Sequence, residues 1–227
     1  MNYAEQMRND TYLPHDNMIV SQLRPNGIND PALLSAFKKI PREIFVAPAL
    51  KSLAYSDSPL PGDQGRFLMA PLTIAKLFQL ADIKEKDSVL VVGYTSGYTL
   101  ALASFFTSSL YAQENHPYWI EESSKNLRLC EKDLGISYVT SPLSTNGFQN
   151  QLFDVIIFDG AVPEIPQSFI NALKENGRIV AVLKHPSSLI GRGTLIQKTG
   201  ATVSHLIKFD VETPLLPDFT IETTFNF

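Results

Sequence analysis

The chain has 227 residues, a length that suits one α/β domain with an extension. Hydrophobic residues make up 44%, enough for a sizeable core. A formal net charge of −4 with no basic run argues against nucleic acid as the main partner. The single cysteine, Cys130, excludes an intrachain disulfide framework and points to a reducing compartment. Residues 1–10 are polar and carry no secretory signal, and no apolar run reaches the length of a membrane span, so a cytoplasmic protein is the expectation.

Residues 1–29 are polar and irregular, with a helix expected around 17–23. Asp30-Pro31 is a helix start, because Asp30 can cap and Pro31 suits the first helical position. Leu33, Leu34, Phe37 and Ile40 follow at helical spacing, and Pro41 ends the run. Residues 41–70 hold Pro41, Pro48, Pro59, Pro61, Gly62 and Gly65, so a long loop is expected there, packed down by Phe45, Val46, Leu53 and Tyr55. A helix is expected over 71–80.

An α/β rhythm then begins. Strands are expected at 88–92, 109–114, 136–140, 154–159 and 177–183, with helices at 97–106, 121–134 and 166–174. The strands are apolar with little alternation, the pattern of a parallel sheet covered on both faces. Residues 194–198 and 202–207 flank Gly200 with no room for a helix, which predicts a closing antiparallel hairpin. A last extended segment is expected over 219–227.

The segment Val89-Leu90-Val91-Val92-Gly93-Tyr94-Thr95-Ser96-Gly97, followed by Glu114, has the chemistry of a ligand site. A buried strand runs into a glycine turn and a helix, and a second strand ends in an acid able to accept from ribose hydroxyls. Two glycines do not make the dinucleotide fingerprint, and no Gly-Lys-Ser/Thr follows. S-adenosylmethionine, which has no pyrophosphate to cradle, fits such a turn better. An ordinary βαβ turn with an incidental acid is the alternative. Glu114 reads as a ribose acceptor or a solvated strand-end acid. Asp159 faces the same crevice or caps the turn after it. Arg66 is a clamp for a substrate carboxylate or a surface arginine paired with Asp63. Cys130, on a helical stripe with Leu127 and Leu134, reads as a buried small hydrophobe. His15, His116, His185 and His205 are scattered without ligand spacing, so no metal site is expected.

Ala54-Tyr55-Ser56-Asp57-Ser58-Pro59-Leu60-Pro61 resembles the signature loop of the protein-L-isoaspartate O-methyltransferases. Ile40-Pro41-Arg42-Glu43-Ile44-Phe45-Val46, Ser96-Gly97-Tyr98 and Leu110-Tyr111-Ala112-Gln113-Glu114 resemble further segments of that family in the right order. So do Phe153-Asp154-Val155-Ile156-Ile157 and Asn176-Gly177-Arg178-Ile179-Val180. Gly65-Arg66-Phe67-Leu68-Met69, Pro214-Leu215-Leu216-Pro217 and the terminal Phe225 to Phe227 are similar to a divergent branch found in alphaproteobacteria.

The resemblance implies a class I, Rossmann-like methyltransferase fold: a mostly parallel seven-stranded sheet ending in an antiparallel hairpin, with an N-terminal helical extension. It implies a substrate-loop extension over 1–75 and a cofactor domain over 76–227, together one compact unit. S-adenosylmethionine is the implied cofactor, held by Gly93, Thr95, Ser96 and Gly97, and by Glu114, Asn115, Leu143 and Asp159. The implied partner is a protein or peptide bearing an isoaspartyl or other carboxyl group, met by Pro61, Arg66, Leu68 and Met69. The reaction would repair damaged aspartyl residues of the substrate protein, and the chain itself is expected to be a monomer or homodimer. No catalytic acid, base or metal is implied.

Four positions depart from the family pattern. Val91 replaces an acid before the first glycine, and Thr95 replaces the middle glycine. Ser141-Pro142-Leu143 replaces a segment whose acid reaches the adenine amine. Met69 takes the place of a hydroxyl beside the substrate. Each lost polar contact costs on the order of 1–3 kcal/mol of binding. A degenerate cofactor-binding or interaction protein, or a methyltransferase with another substrate, therefore stands as the alternative.

Overall fold

The computed structural model describes residues 14–130 and 134–219. Residues 14–18 form a helical turn that widens into a π-turn at Ile19–Leu23. Helix α1 spans Pro31–Lys39, and Asp30 caps it by accepting from Ala32 and Leu33 N–H. The proline-rich stretch is a chain of 3₁₀ turns, as the breaker residues require, with a two-residue antiparallel ladder between Leu60–Pro61 and Phe67–Leu68. Helix α2 spans Pro71–Ala81.

The α/β unit follows: β1 (Val89–Val92), α3 (Tyr98–Ala103), β2 (Leu110–Glu114), α4 (Pro117–Leu129) and β3 (Ser137–Thr140). Next come β4 (Phe153–Val162), α5 (Gln167–Asn171), β5 (Leu173–Leu183), β6 (Gly191–Thr199) and β7 (Thr202–Val211). They form one seven-stranded sheet in the order β3-β2-β1-β4-β5-β6-β7. The pairs from β3 through β5 are parallel, and β5-β6 and β6-β7 are antiparallel. The expected parallel sheet and its closing hairpin are both present.

Each central strand feeds two cores, which is why it reads as an unbroken apolar run. Val89 and Val91 of β1, Val155 and Ile157 of β4, and Val180 and Val182 of β5 join the core on one face. Their neighbours Leu90 and Val92, Ile156 and Phe158, and Ile179 and Ala181 join the core on the other. The first core also holds Met18, Leu23, Phe37 and Phe45, so the N-terminal segment packs on the sheet's own helices.

Helix limits differ from those that periodicity predicts, and α4 starts four residues early at Pro117. α3 ends at Ala103 and α4 at Leu129, with Cys130 at its cap; residues 131–133 lie outside the described residues. Cys130 is half-buried against the core rather than fully buried on a helical stripe. α5 stops at Asn171, because Phe153 pairs with Leu173 and draws the chain into β5 four residues early. The extended segment expected over 219–227 lies outside the described residues beyond Phe219, which itself closes a 3₁₀ turn. No described helix is long and apolar enough to cross a membrane.

Candidate functional site

Strand order reverses between β1 and β4, and that reversal opens a crevice at their carboxyl ends. β1 delivers Gly93 and the turn to α3. Gly93 has φ 76° and Gly97 φ 96°, backbone that glycine adopts freely. A Cβ on Gly97 would lie 3.0 Å from that of Ser123, so the turn also needs glycine to pack against α4. Thr95, between them, is held at φ 42° and is buried, with its hydroxyl unpaired. A β-branched residue there stores strain. Thr95→Gly is expected to stabilise the fold by about 1 kcal/mol, after the greater unfolded-state entropy of glycine is subtracted. Chemical denaturation checks this; an unchanged midpoint would show the turn relaxed.

β2 delivers Glu114, fully buried, and this corrects the reading of a solvated strand-end acid. Its Oε1 accepts from Asn115 N–H at 2.9 Å and from Arg66 Nη1 at 2.7 Å. Oε2 has no partner. Arg66 is therefore not a surface residue paired with Asp63. It is 4% exposed, and its Nη2 also donates to the Gly93 carbonyl at 2.7 Å. Asp63 accepts from the Tyr118 hydroxyl instead. The cause is the turn at 63–65, where positive φ at Gln64 and Gly65 folds the loop back over β1.

β4 delivers Asp159, 1% exposed, with neither carboxylate oxygen hydrogen-bonded. It caps no turn. Burial pushes its pKa up to about 6, against the pull of the Arg66 and Arg42 guanidiniums. With a folded pKa above the unfolded one, the folded state binds more protons between about pH 4 and 6, so stability falls as pH rises through that window. At about 1.4 kcal/mol per unit, the deficit above pH 7 is about 2–3 kcal/mol. Asp159→Asn is expected to recover much of this at pH 8 and to flatten the profile from pH 4 to 7, as read by denaturation midpoints. An unchanged profile would place the carboxylate in water.

The loop after β3 is fixed by buried Gln113, whose Nε2 donates to the Pro142 and Thr145 carbonyls and whose Oε1 accepts from Gly147 N–H. This places the Leu143 N–H at the crevice edge, where Asp218 accepts from it at 2.8 Å and from Asn115 Nδ2 at 2.5 Å.

A cleft of ≈ 120 Å³ adjoins the turn. Pro61 and Leu68 line it together with Thr95, Ser96, Trp119 and Asn126, so the structure joins two predicted substrate residues to two predicted cofactor residues. Met69 and Arg66 do not line it. The Met69 side chain is buried in the core, and its carbonyl accepts from Arg42. His116 accepts from Tyr118 N–H at the start of α4. No cluster of three metal-ligating residues occurs among the described residues.

Sequence reasoning missed Arg42, Leu216 and Asp218. Arg42 is fully buried and donates to the Ala54 and Met69 carbonyls, each at 2.6 Å, with its guanidinium 4.9 Å from the Tyr98 ring centre. The signal was an arginine within an apolar loop. Leu216 covers Gly93 and Gly160. The resemblance marked Pro214-Leu215-Leu216-Pro217 as a segment and assigned Leu216 no role.

The profile of the family described as protein-L-isoaspartate(D-aspartate) O-methyltransferase (PCMT) matches residues 14–203. The chain belongs to this family. A protein-L-isoaspartate O-methyltransferase of Protochlamydia amoebophila is 35% identical over 166 residues, 72% of this chain and 77% of the relative. One from Methanoculleus marisnigri is 34% identical over 167 residues, 73% and 75% of the two chains. Among solved structures, a protein-L-isoaspartate O-methyltransferase superposes with TM-score 0.75 at 21% identity, covering 89% of this chain and 65% of the other. A putative isoaspartate methyltransferase of Plasmodium falciparum, solved with S-adenosyl-L-homocysteine, gives 0.71 at 18% identity, covering 90% and 98%. These two likenesses establish the class I methyltransferase fold for this member of the isoaspartate methyltransferase family.

The donor set fits that family's cofactor. An unpaired Glu114 oxygen, two unpaired Asp159 oxygens and the unpaired hydroxyls of Thr95 and Ser96 are buried around one glycine turn. Such atoms are costly unless a ligand meets them.

Proposed function

We propose that this chain is an S-adenosylmethionine-dependent methyltransferase acting on a carboxyl group of protein substrates, the isoaspartyl group of damaged chains, in the cytoplasm. The observation that carries the reading is the pair of buried, incompletely satisfied acids, Glu114 and Asp159, at the point where strand order reverses. Membership of the protein-L-isoaspartate O-methyltransferase family supplies the reaction class.

When bound, S-adenosylmethionine supplies an electrophilic methyl group on a sulfonium. Glu114 would accept from its ribose hydroxyls, and Asp159 would accept from its ammonium. The turn residues Gly93, Thr95, Ser96 and Gly97 would hold it, together with Asn115 and Leu143. Pro61 and Leu68 hold the substrate segment in the cleft that Thr95 and Ser96 share. The accepting carboxylate is ionised at neutral pH, so the chain's work is alignment and exclusion of water rather than proton transfer. The segment 1–75 serves as the substrate-loop extension of the cofactor domain 76–227.

The test is methyl transfer from radiolabelled S-adenosylmethionine to an isoaspartyl peptide and to its normal aspartyl isomer. Base-labile label on the isoaspartyl peptide alone is the expected result. Label on neither peptide, with transfer to a small carboxylate, would replace the substrate assignment.

A further inference from the structure

The donors of the crevice fit S-adenosylmethionine, yet its volume is taken by this chain's own side chains. A Cβ built on Gly93 would lie 3.0 Å from Arg66 Nη2 and 3.1 Å from Leu216 Cδ2. One built on Gly160 would lie 2.5 Å from Leu216 Cδ2. The glycine faces open to a ligand are therefore covered by Leu216 and Arg66.

Leu216 is held there by residues 213–219. The Lys184 ammonium donates to the Thr213 carbonyl at 2.9 Å. Ala161 N–H donates to the Pro214 carbonyl at 2.9 Å, and Leu216 N–H returns a bond to the Ala161 carbonyl at 2.8 Å. The segment thus pairs as a short strand beside the end of β4, through the parallel bridge of Ala161 with Leu215. At its far end Asp218 binds Leu143 N–H and Asn115 Nδ2. Phe219 packs on Phe158, ring centres 6.1 Å apart. Thr213, Leu216 and Phe219 are all buried.

Resting on the function proposed above, we propose that residues 213–219 form an internal lid. The lid occupies the cofactor crevice, with Leu216 on the glycines and Asp218 on the Leu143 and Asn115 donors, and it must swing out for S-adenosylmethionine to enter. Among the described residues, the segment is joined to β4 through the two backbone bonds at Ala161 and is fastened by side-chain bonds at both ends. Pro214 and Pro217 restrict its backbone, which favours movement as a piece. A ligand that binds only the open state has its affinity reduced by the fraction open. The lid therefore sets apparent cofactor affinity without touching the transferred methyl group. Arg66 stays beside Glu114 in the closed state, and opening leaves the second Glu114 oxygen facing the entering ligand.

The experiment is calorimetric titration of S-adenosylhomocysteine into the native full chain and into L216A/D218A, with hydrogen exchange on the native chain with and without ligand. The double variant removes the leucine over the glycines and both carboxylate bonds of Asp218. Its expected affinity is roughly 10- to 100-fold tighter than native. In the native chain, ligand is expected to speed exchange of the Ala161 and Leu216 amides, which the closed lid protects. Equal affinities, with both amides protected in the complex, would overturn the lid while leaving the cofactor assignment intact. Absence of binding in a folded double variant and in the native chain would overturn both. If the variant fails to fold, exchange in the native chain decides alone.

Discussion

Arg66→Met is expected to lower the unfolding free energy by roughly 3–5 kcal/mol. The pair it breaks is almost wholly out of water, with side-chain exposures of 3% for Arg66 and 0% for Glu114. Methionine fills similar volume, so the loss is electrostatic rather than a cavity. It leaves Glu114 with one backbone donor and the Gly93 carbonyl without its partner. The pairing links a loop residue to a strand end 48 positions away, so the same change is expected to free the 62–68 loop from β1. Adding Glu114→Gln removes the stranded charge, and R66M/E114Q is expected to be more stable than Arg66→Met alone. A double-mutant cycle by urea denaturation measures the coupling. Additive effects would mean that water reaches the pair.

Arg42→Met is expected to cost a similar amount, roughly 3–5 kcal/mol. Arg42 is fully buried, and burial lowers its pKa from the usual guanidinium range. Its two charge-assisted bonds at 2.6 Å tie the Ala54 carbonyl to the Met69 carbonyl across fifteen residues of loop. Losing them leaves two buried acceptors unmet, each worth about 1–3 kcal/mol. Lysine is a point donor without the planar fork that reaches both carbonyls, so Arg42→Lys is expected to recover little. The Tyr55 hydroxyl, which accepts from Arg42 N–H at 3.2 Å and bonds to Glu43, anchors the same loop from its other side. Thermal denaturation of the two variants checks the ranking. A lysine variant as stable as the native chain would mean that one carbonyl bond suffices.

The sheet was legible because two faces each need a core, and Val89-Leu90-Val91-Val92 or Val155-Ile156-Ile157-Phe158 can supply both only as an unbroken apolar run. Glycine turns and β2's terminal acid were legible for a related reason: backbone at positive φ and a strand-end carboxylate are written in residue type. Helix ends were not. Asn171 ends α5 because Leu173 finds Phe153 across the sheet, a tertiary pairing that overrides the helical spacing of 166–174.

The same limit applies to the site. Arg66 reads as exposed beside Asp63 in sequence, and only the back-turn at Gln64 and Gly65 carries it to Glu114. Leu216 and Asp218 sit in a segment with neither helical nor strand periodicity, and their role depends on where β7 releases the chain. Of the departures from the family pattern, Thr95 shows its cost directly as a strained φ. Val91 is a fully buried strand residue, and its place before Gly93 carries no polar group. Asp159 supplies a buried acid from the neighbouring strand instead.

We propose the crevice between β1, β2 and β4 as the S-adenosylmethionine site. Its most direct test is titration of the purified full chain with S-adenosylhomocysteine, with NAD and ATP as controls. Saturable heat with S-adenosylhomocysteine alone, lost on E114A in a chain that remains folded, is the expected result. No heat up to millimolar concentrations, in the native chain and after release of residues 213–219, would contradict it.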